Sequence, residues 1–153
     1  MNPPFSYWLI AVFLGLWACA YAWLVTYAFV LATPADYEQL VASGRILPEY
    51  RAYIEAIPSW IIVLSFLVAI TRLLGAAALV MTSAWAVPIY AVSFATVIIV
   101  MGRAFLVAGV AQVIEPSQVF VEAAFFAISA FAAGYAWWAS KQGLFGPAGT
   151  PLS

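Results

Sequence analysis

Residues 58–81 read PSWIIVLSFLVAITRLLGAAALVM, and the chain returns over 85–110 as WAVPIYAVSFATVIIVMGRAFLVAGV. Each arm exceeds the ~18–20 apolar residues that carry a helix across a bilayer. Only Thr82, Ser83 and Ala84 lie between them, so the arms are expected to be antiparallel neighbours over 58–81 and 84–110. Arg72 and Arg103 sit inside this hairpin. A charge at membrane depth asks for a physical explanation, because hydrocarbon cannot solvate it.

The rest of the composition agrees with that reading. The 153-residue chain is 67% hydrophobic and 7% charged, and its mean hydropathy is +1.07. A soluble domain carries about 25% charged residues, so a water-facing surface cannot be made from this inventory. Continuous apolar runs, rather than ~10-residue alternation, exclude a membrane barrel and leave helices as the way to satisfy the backbone in lipid. A net charge of −1 gives no basic field for nucleic acid, which is not expected as a partner.

Histidine is absent and Cys19 is the single cysteine. Histidine-ligated metals, bis-histidine haem and a Ser-His-Asp triad are therefore excluded. A lone thiol makes neither an internal disulfide nor a CxxC redox pair. Cys19, within an apolar helix, is expected to be a buried, unreactive thiol. No catalytic residue, cofactor or metal site is expected.

Four spans follow, at about 5–32, 58–81, 84–110 and 119–140, as an all-α membrane protein with an antiparallel four-helix bundle. The first is read as a retained helix rather than a signal peptide, since its apolar run is too long and lacks a basic n-region. Residues 33–57 are the long polar stretch and are expected to form a cap of two short helices. Thr33-Pro34-Ala35-Asp36 supplies a capping residue, an N1 proline and a first-turn acid, with an end at Ser43-Gly44. In the second, from Pro48, Tyr50, Tyr53, Ile54 and Ile57 share one side, as in a helix lying along the membrane surface or folded over the helix ends. Arg51 and Glu55 are four apart, giving a weak surface pair. The tail, 142–153, is rich in Gly and Pro and is expected to be flexible. An even number of spans places both termini together, expected in the cytoplasm of a bacterial inner membrane with the acidic cap outward. Arg45 and Arg51, on the cap side, count against that orientation.

Arg72 lies about 21 Å into its helix. Ser93, Thr96, Trp17, Tyr21, Ser129 and Tyr135 fall near its level and offer hydroxyls and rings. Two readings stay open: an anion or substrate site, and an arginine that snorkels or meets a lipid headgroup or partner subunit. Arg103 is expected to pair with Glu122, or alternatively with Glu115. No acid lies in the first helix, which argues against small four-helix drug/proton exchangers. Ala123, Ala127, Ala130 and Gly134 form a small-residue stripe for helix packing, within the bundle or against another protein.

Tyr53-Ile54, Pro58-Ser59-Trp60, Gly75, Trp85-Ala86 and Ser93-Phe94 together resemble a pattern in small bacterial four-helix membrane proteins without an established role. The likeness covers about two-thirds of the chain. Members are often labelled sugar transporters, a function that the resemblance implies and no residue here carries. Arg72 departs from the pattern, where an uncharged residue is expected. The expectation is a non-catalytic accessory or structural subunit of a larger inner-membrane complex, contacting membrane partners through helix faces and the 33–57 loop. The alternative is a small oligomeric transporter of a sugar or other small solute.

Overall fold

The computed structural model describes residues 3–112 and 114–145. Its long elements are α1 (Phe5–Thr26), α4 (Ser59–Val80), α5 (Ala86–Gly102) and α6 (Pro116–Lys141); the cap holds α2 (Pro34–Ala42) and α3 (Tyr50–Glu55). Among the described residues the one non-helical pairing is an isolated antiparallel bridge from Ile46 to Ile114, which ties the cap to the connector before α6. Four helices are long and apolar enough to cross a membrane, at Phe5–Leu31, Ser59–Val80, Ala86–Val107 and Pro116–Lys141. The protein is thus a multi-pass helical membrane protein. The fourth begins three residues earlier than the sequence suggests, because Glu115 precedes an N1 proline, a position where a missing N–H costs nothing.

Two of these spans change pitch at their ends. α1 continues as a π turn over Tyr27–Leu31, and α5 as a π turn over Arg103–Val107. The first turn leaves the Ala28 carbonyl without its helical partner, since the Thr33 N–H is taken by the Asp36 carboxylate at 2.7 Å. The Tyr37 hydroxyl donates to that carbonyl at 3.1 Å. α2 is thereby tethered to α1 by satisfying a backbone group that the π turn frees.

The α2 start is a capping box: Asp36 N–H donates to Thr33 Oγ1 while the Asp36 carboxylate takes the Thr33 N–H and hydroxyl. Its end is a Schellman turn, with Gly44 at φ 70 and Arg45 N–H on the Leu40 carbonyl at 3.0 Å. α6 ends the same way. Gly143 sits at φ 67, and Leu144 N–H reaches the Ala139 carbonyl at 3.1 Å. Leu144 is thereby folded back and buried, so the expected flexible tail does not begin at 142. Residues 146–153 lie outside the described ones.

Close backbone approach joins α1 to α4, α4 to α5 and α5 to α6. Rings join α1 to α6: Trp17 with Phe125 at 4.6 Å between centroids, Tyr21 with Phe125 at 5.6 Å, and Tyr7 with Tyr135 at 6.1 Å. A dense core gathers at one end, where Tyr7, Leu79, Ala86, Tyr90, Tyr135, Ala139 and Leu144 are buried together. Its buried polar link is the Tyr7 hydroxyl on the Leu79 carbonyl at 2.6 Å, which satisfies a last-turn acceptor of α4. Gly75 sets the α4–α5 distance, because a Cβ there would stand 2.9 Å from the Tyr90 ring. Cys19 is exposed on the outer face of α1, not buried as expected: its helix is apolar on all sides, so hydrophobicity alone does not say which face turns inward.

The α4–α5 link is a third Schellman turn, but with Thr82 at the left-handed position, φ 48. A β-branched side chain crowds the backbone there, at a cost of roughly 1 kcal/mol. Thr82→Gly is expected to stabilise the protein by about 0.5–1 kcal/mol, seen as a higher midpoint of thermal unfolding in detergent. An unchanged or lower midpoint would refute the strain.

The Thr33 hydrogen bonds, foremost that of its side chain, hold the Asp36 carboxyl below its ordinary value of 3.8. A depressed acid contributes stability above its unfolded value and loses it as pH falls through the lower folded value. Amide protection in the first turn of α2 is therefore expected to decline below about pH 4. Thr33→Ala, which deletes the hydroxyl but keeps the backbone N–H donor to Asp36, should weaken that dependence, as read by hydrogen exchange.

Candidate functional site

A chamber of about 370 Å³ opens between the helices at the end opposite the dense core. Its walls come from α1 (Tyr21, Leu24, Val25), α4 (Ile61, Ser65, Arg72), α5 (Val97, Val100) and α6 (Glu122, Phe125), with the π-turn residues Ala28, Phe29, Arg103 and Phe105 at its rim. Tyr50, Tyr53, Ile54 and Ile57 of the cap also line it. These are the four residues whose spacing put them on one side of the second cap helix. Glu49, Arg51 and Glu55 are exposed, and Arg51 meets Glu55 at 3.0 Å, a solvated pair that contributes little. The volume falls within the usual range for small-molecule sites.

Arg72 forms the deep end. It is the fourteenth of 22 residues in α4, about 4 Å past the helix midpoint. Its residue exposure is 4%. Nη2 donates to Ser129 Oγ, whose own hydrogen goes to the Phe125 carbonyl at 2.6 Å. The Tyr21 ring lies under the guanidinium, 3.9 Å from centroid to Cζ. A ring face and a hydroxyl thus lie against the charge without neutralising it, the ring supplying about 2 kcal/mol when desolvated.

Among the residues expected near Arg72, Ser129 and Tyr21 touch it, and Trp17 and Ser93 share a small void with it. Thr96 is buried but donates to the Val92 carbonyl of its own helix at 2.9 Å. Tyr135 stacks in the dense core against Phe131 and Trp138. The expected Arg103–Glu122 ion pair does not form: both side chains line the chamber, yet among the described residues Arg51–Glu55 is the one salt bridge. Depth along two helices places groups at one level; it does not fix the rotation that aims them. Glu115 accepts from the Ser117 hydroxyl at 3.2 Å instead.

The chamber's polarity is mixed. Arg72 and Arg103 face one acid, Glu122. Burial pushes the Tyr50 phenol up to about 12, helped by the nearby Glu122 carboxylate. Burial also raises Tyr53, with Arg103 acting against the rise. Both phenols are therefore neutral hydroxyls, able to donate and accept, throughout the physiological range. Among the described residues no cluster of Cys, Asp and Glu could hold a metal ion.

The stripe Ala123, Ala127, Ala130 and Gly134 points away from all this. Ala123, Ala127 and Gly134 are exposed and Ala130 half-buried, while Ser129, Ala132, Tyr135, Ala136 and Ala139 make the inner face of α6. A Cβ at Gly134 would meet nothing within 4 Å. Tyr90 is the residue that sequence reasoning passed over. Its signal was the spacing Tyr90-x-x-Ser93, which puts two polar groups on one helix face beside Gly75.

No protein-family model, curated protein or solved structure matches this chain.

Ser129→Ala strips Arg72 of its one side-chain hydrogen bond and leaves a buried cation underbonded. A loss of about 1–3 kcal/mol is expected, measured by denaturant unfolding in micelles. Ser65→Ala, which deletes a hydroxyl bonded to the Ile61 carbonyl of its own helix at 2.9 Å, serves as the control and is expected to cost less.

Proposed function

We propose that this protein is an antiparallel four-helix bundle of the bacterial inner membrane, with its termini in the cytoplasm, and that it works by binding rather than catalysis. The chamber carries the reading. It is deep, apolar-walled and roofed by the cap, and its few polar groups converge from several elements. Packing alone would have filled that space, since interiors close voids larger than a water molecule wherever side chains allow. The role that follows is that of a small solute-handling subunit of transporter type, which takes a small solute or a single lipid chain from the cap side. The dense tyrosine core then acts as the seal beneath it.

The accessory-subunit reading has its own support in the outward stripe of α6. Small residues on a lipid-facing surface let another helix approach closely, where van der Waals packing drives association. The two roles are compatible in space, because stripe and chamber occupy opposite sides of α6.

Native mass spectrometry of protein released from mild detergent tests the choice. A bound small molecule is expected on the wild-type chain and is expected to be missing from Val100→Trp, whose indole fills the chamber. Circular dichroism should show the helices of that variant unchanged. A wild-type chain that flies empty, and migrates in stoichiometric amount with a larger complex, would overturn solute binding in favour of the accessory role.

A further inference from the structure

Beneath the chamber lies a second, small void, with room for about one water-sized centre (≈ 10 Å³), bounded by Trp17, Arg72, Tyr90, Ser93 and Ser129 among apolar neighbours. Four buried side-chain atoms lack any hydrogen-bond partner among the described residues: Trp17 Nε1, Arg72 Nη1, Tyr90 Oη and Ser93 Oγ. All four residues line this one void. Buried polar groups are nearly always paired, so an orphan calls for an explanation. Four orphans from three helices around one water-sized space point to a single missing occupant.

The chemistry of those atoms selects what it is. Trp17 and Arg72 can only donate, and the two hydroxyls have hydrogens free to donate. A water molecule can accept from Trp17 and Arg72 and donate to the two hydroxyl oxygens, so charge, rather than the number of hydrogen bonds, has to decide the occupant. Water brings no charge to a guanidinium that is 4% exposed and has no salt bridge among the described residues. Removing the counter-charge from a buried ion is among the costliest arrangements a protein can hold. The nearest acid by electrostatic influence, Glu122, belongs to the chamber and does not line the void. A monatomic anion accepts from all directions, matches the four donors and neutralises Arg72. Sulfate, phosphate and carboxylates are too large for the space.

We propose that Trp17, Arg72, Tyr90 and Ser93 form a buried halide site, occupied by chloride, at mid-helix depth. The ion closes the electrostatics of the Arg72 cluster and joins α1, α4 and α5. Solute binding in the chamber above is not required for it.

The test uses the purified full chain in an uncharged detergent, unfolded thermally in chloride, bromide, gluconate or sulfate at equal ionic strength. Chloride and bromide are expected to raise the midpoint saturably; gluconate and sulfate are not. Chlorine NMR on the wild type should show excess line broadening that bromide displaces. Tyr90→Phe keeps the ring that packs on Gly75 and deletes one donor, and should raise the half-saturating chloride concentration about five- to tenfold. Arg72→Gln is expected to abolish the chloride response. Equal midpoints in all four salts, without line broadening on the wild type, would assign the void to a water molecule and overturn the proposal. So would a chloride response unaltered in Tyr90→Phe, which would place the ion elsewhere.

Discussion

The guanidinium of Arg72 is the constraint around which the helices are arranged. A cation at this depth costs several kcal/mol unless surrounding groups stand in for water. Each neighbouring span contributes one: the Tyr21 ring from α1, the Ser129 hydroxyl from α6, and the Tyr90–Ser93 face of α5 across the small void. The spans are otherwise nearly featureless in polarity, so apolar attraction between them is weak in lipid and cannot choose their rotation. The arginine can. Turning α6 by one residue would remove Ser129, and turning α1 would remove the ring.

Around that cluster the two ends of the helices diverge. At one end small residues and glycine permit close contact: Gly75 admits the Tyr90 ring, and Ala136 and Ala139 let α6 settle into the core. At the other, residues of the two π turns stand at the rim of the chamber, and cap residues line it as well. A π turn widens the backbone and releases a carbonyl. In α1 the released Ala28 carbonyl accepts from the Tyr37 hydroxyl, so the π turn that borders the chamber also tethers the first cap helix.

Much of this was legible in the sequence, and the rest was hidden for definite reasons. The four spans and the helix start at Thr33 follow from apolar length and from local capping chemistry that needs no tertiary information. The inward side of the second cap helix was readable from the spacing of Tyr50, Tyr53, Ile54 and Ile57. Ser129 and Tyr21 were found as partners of Arg72 by counting depth. Depth failed for Arg103 and Glu122 because it leaves rotation free. It failed for Cys19 because a helix apolar on all sides has no marked inner face. The burial of Leu144 was masked by the Gly- and Pro-rich composition after it, although Gly143 is itself the signal for a helix end that folds the next residue back.

The opposite placement of chamber and stripe on α6 bears on how the protein can be used. Ser129 and Phe125 face the arginine cluster, whereas Ala127, Ala130 and Gly134 face outward on the same turns of helix. A partner helix seated on the stripe would press on α6 directly behind Ser129. Among the described residues α6 meets α1 chiefly through aromatic rings rather than through an extended backbone seam. A small shift of α6 would therefore move the Ser129 hydroxyl relative to Arg72 and alter the space beside Phe125. The outward small-residue stripe and the wall of the chamber are thus two faces of one helix.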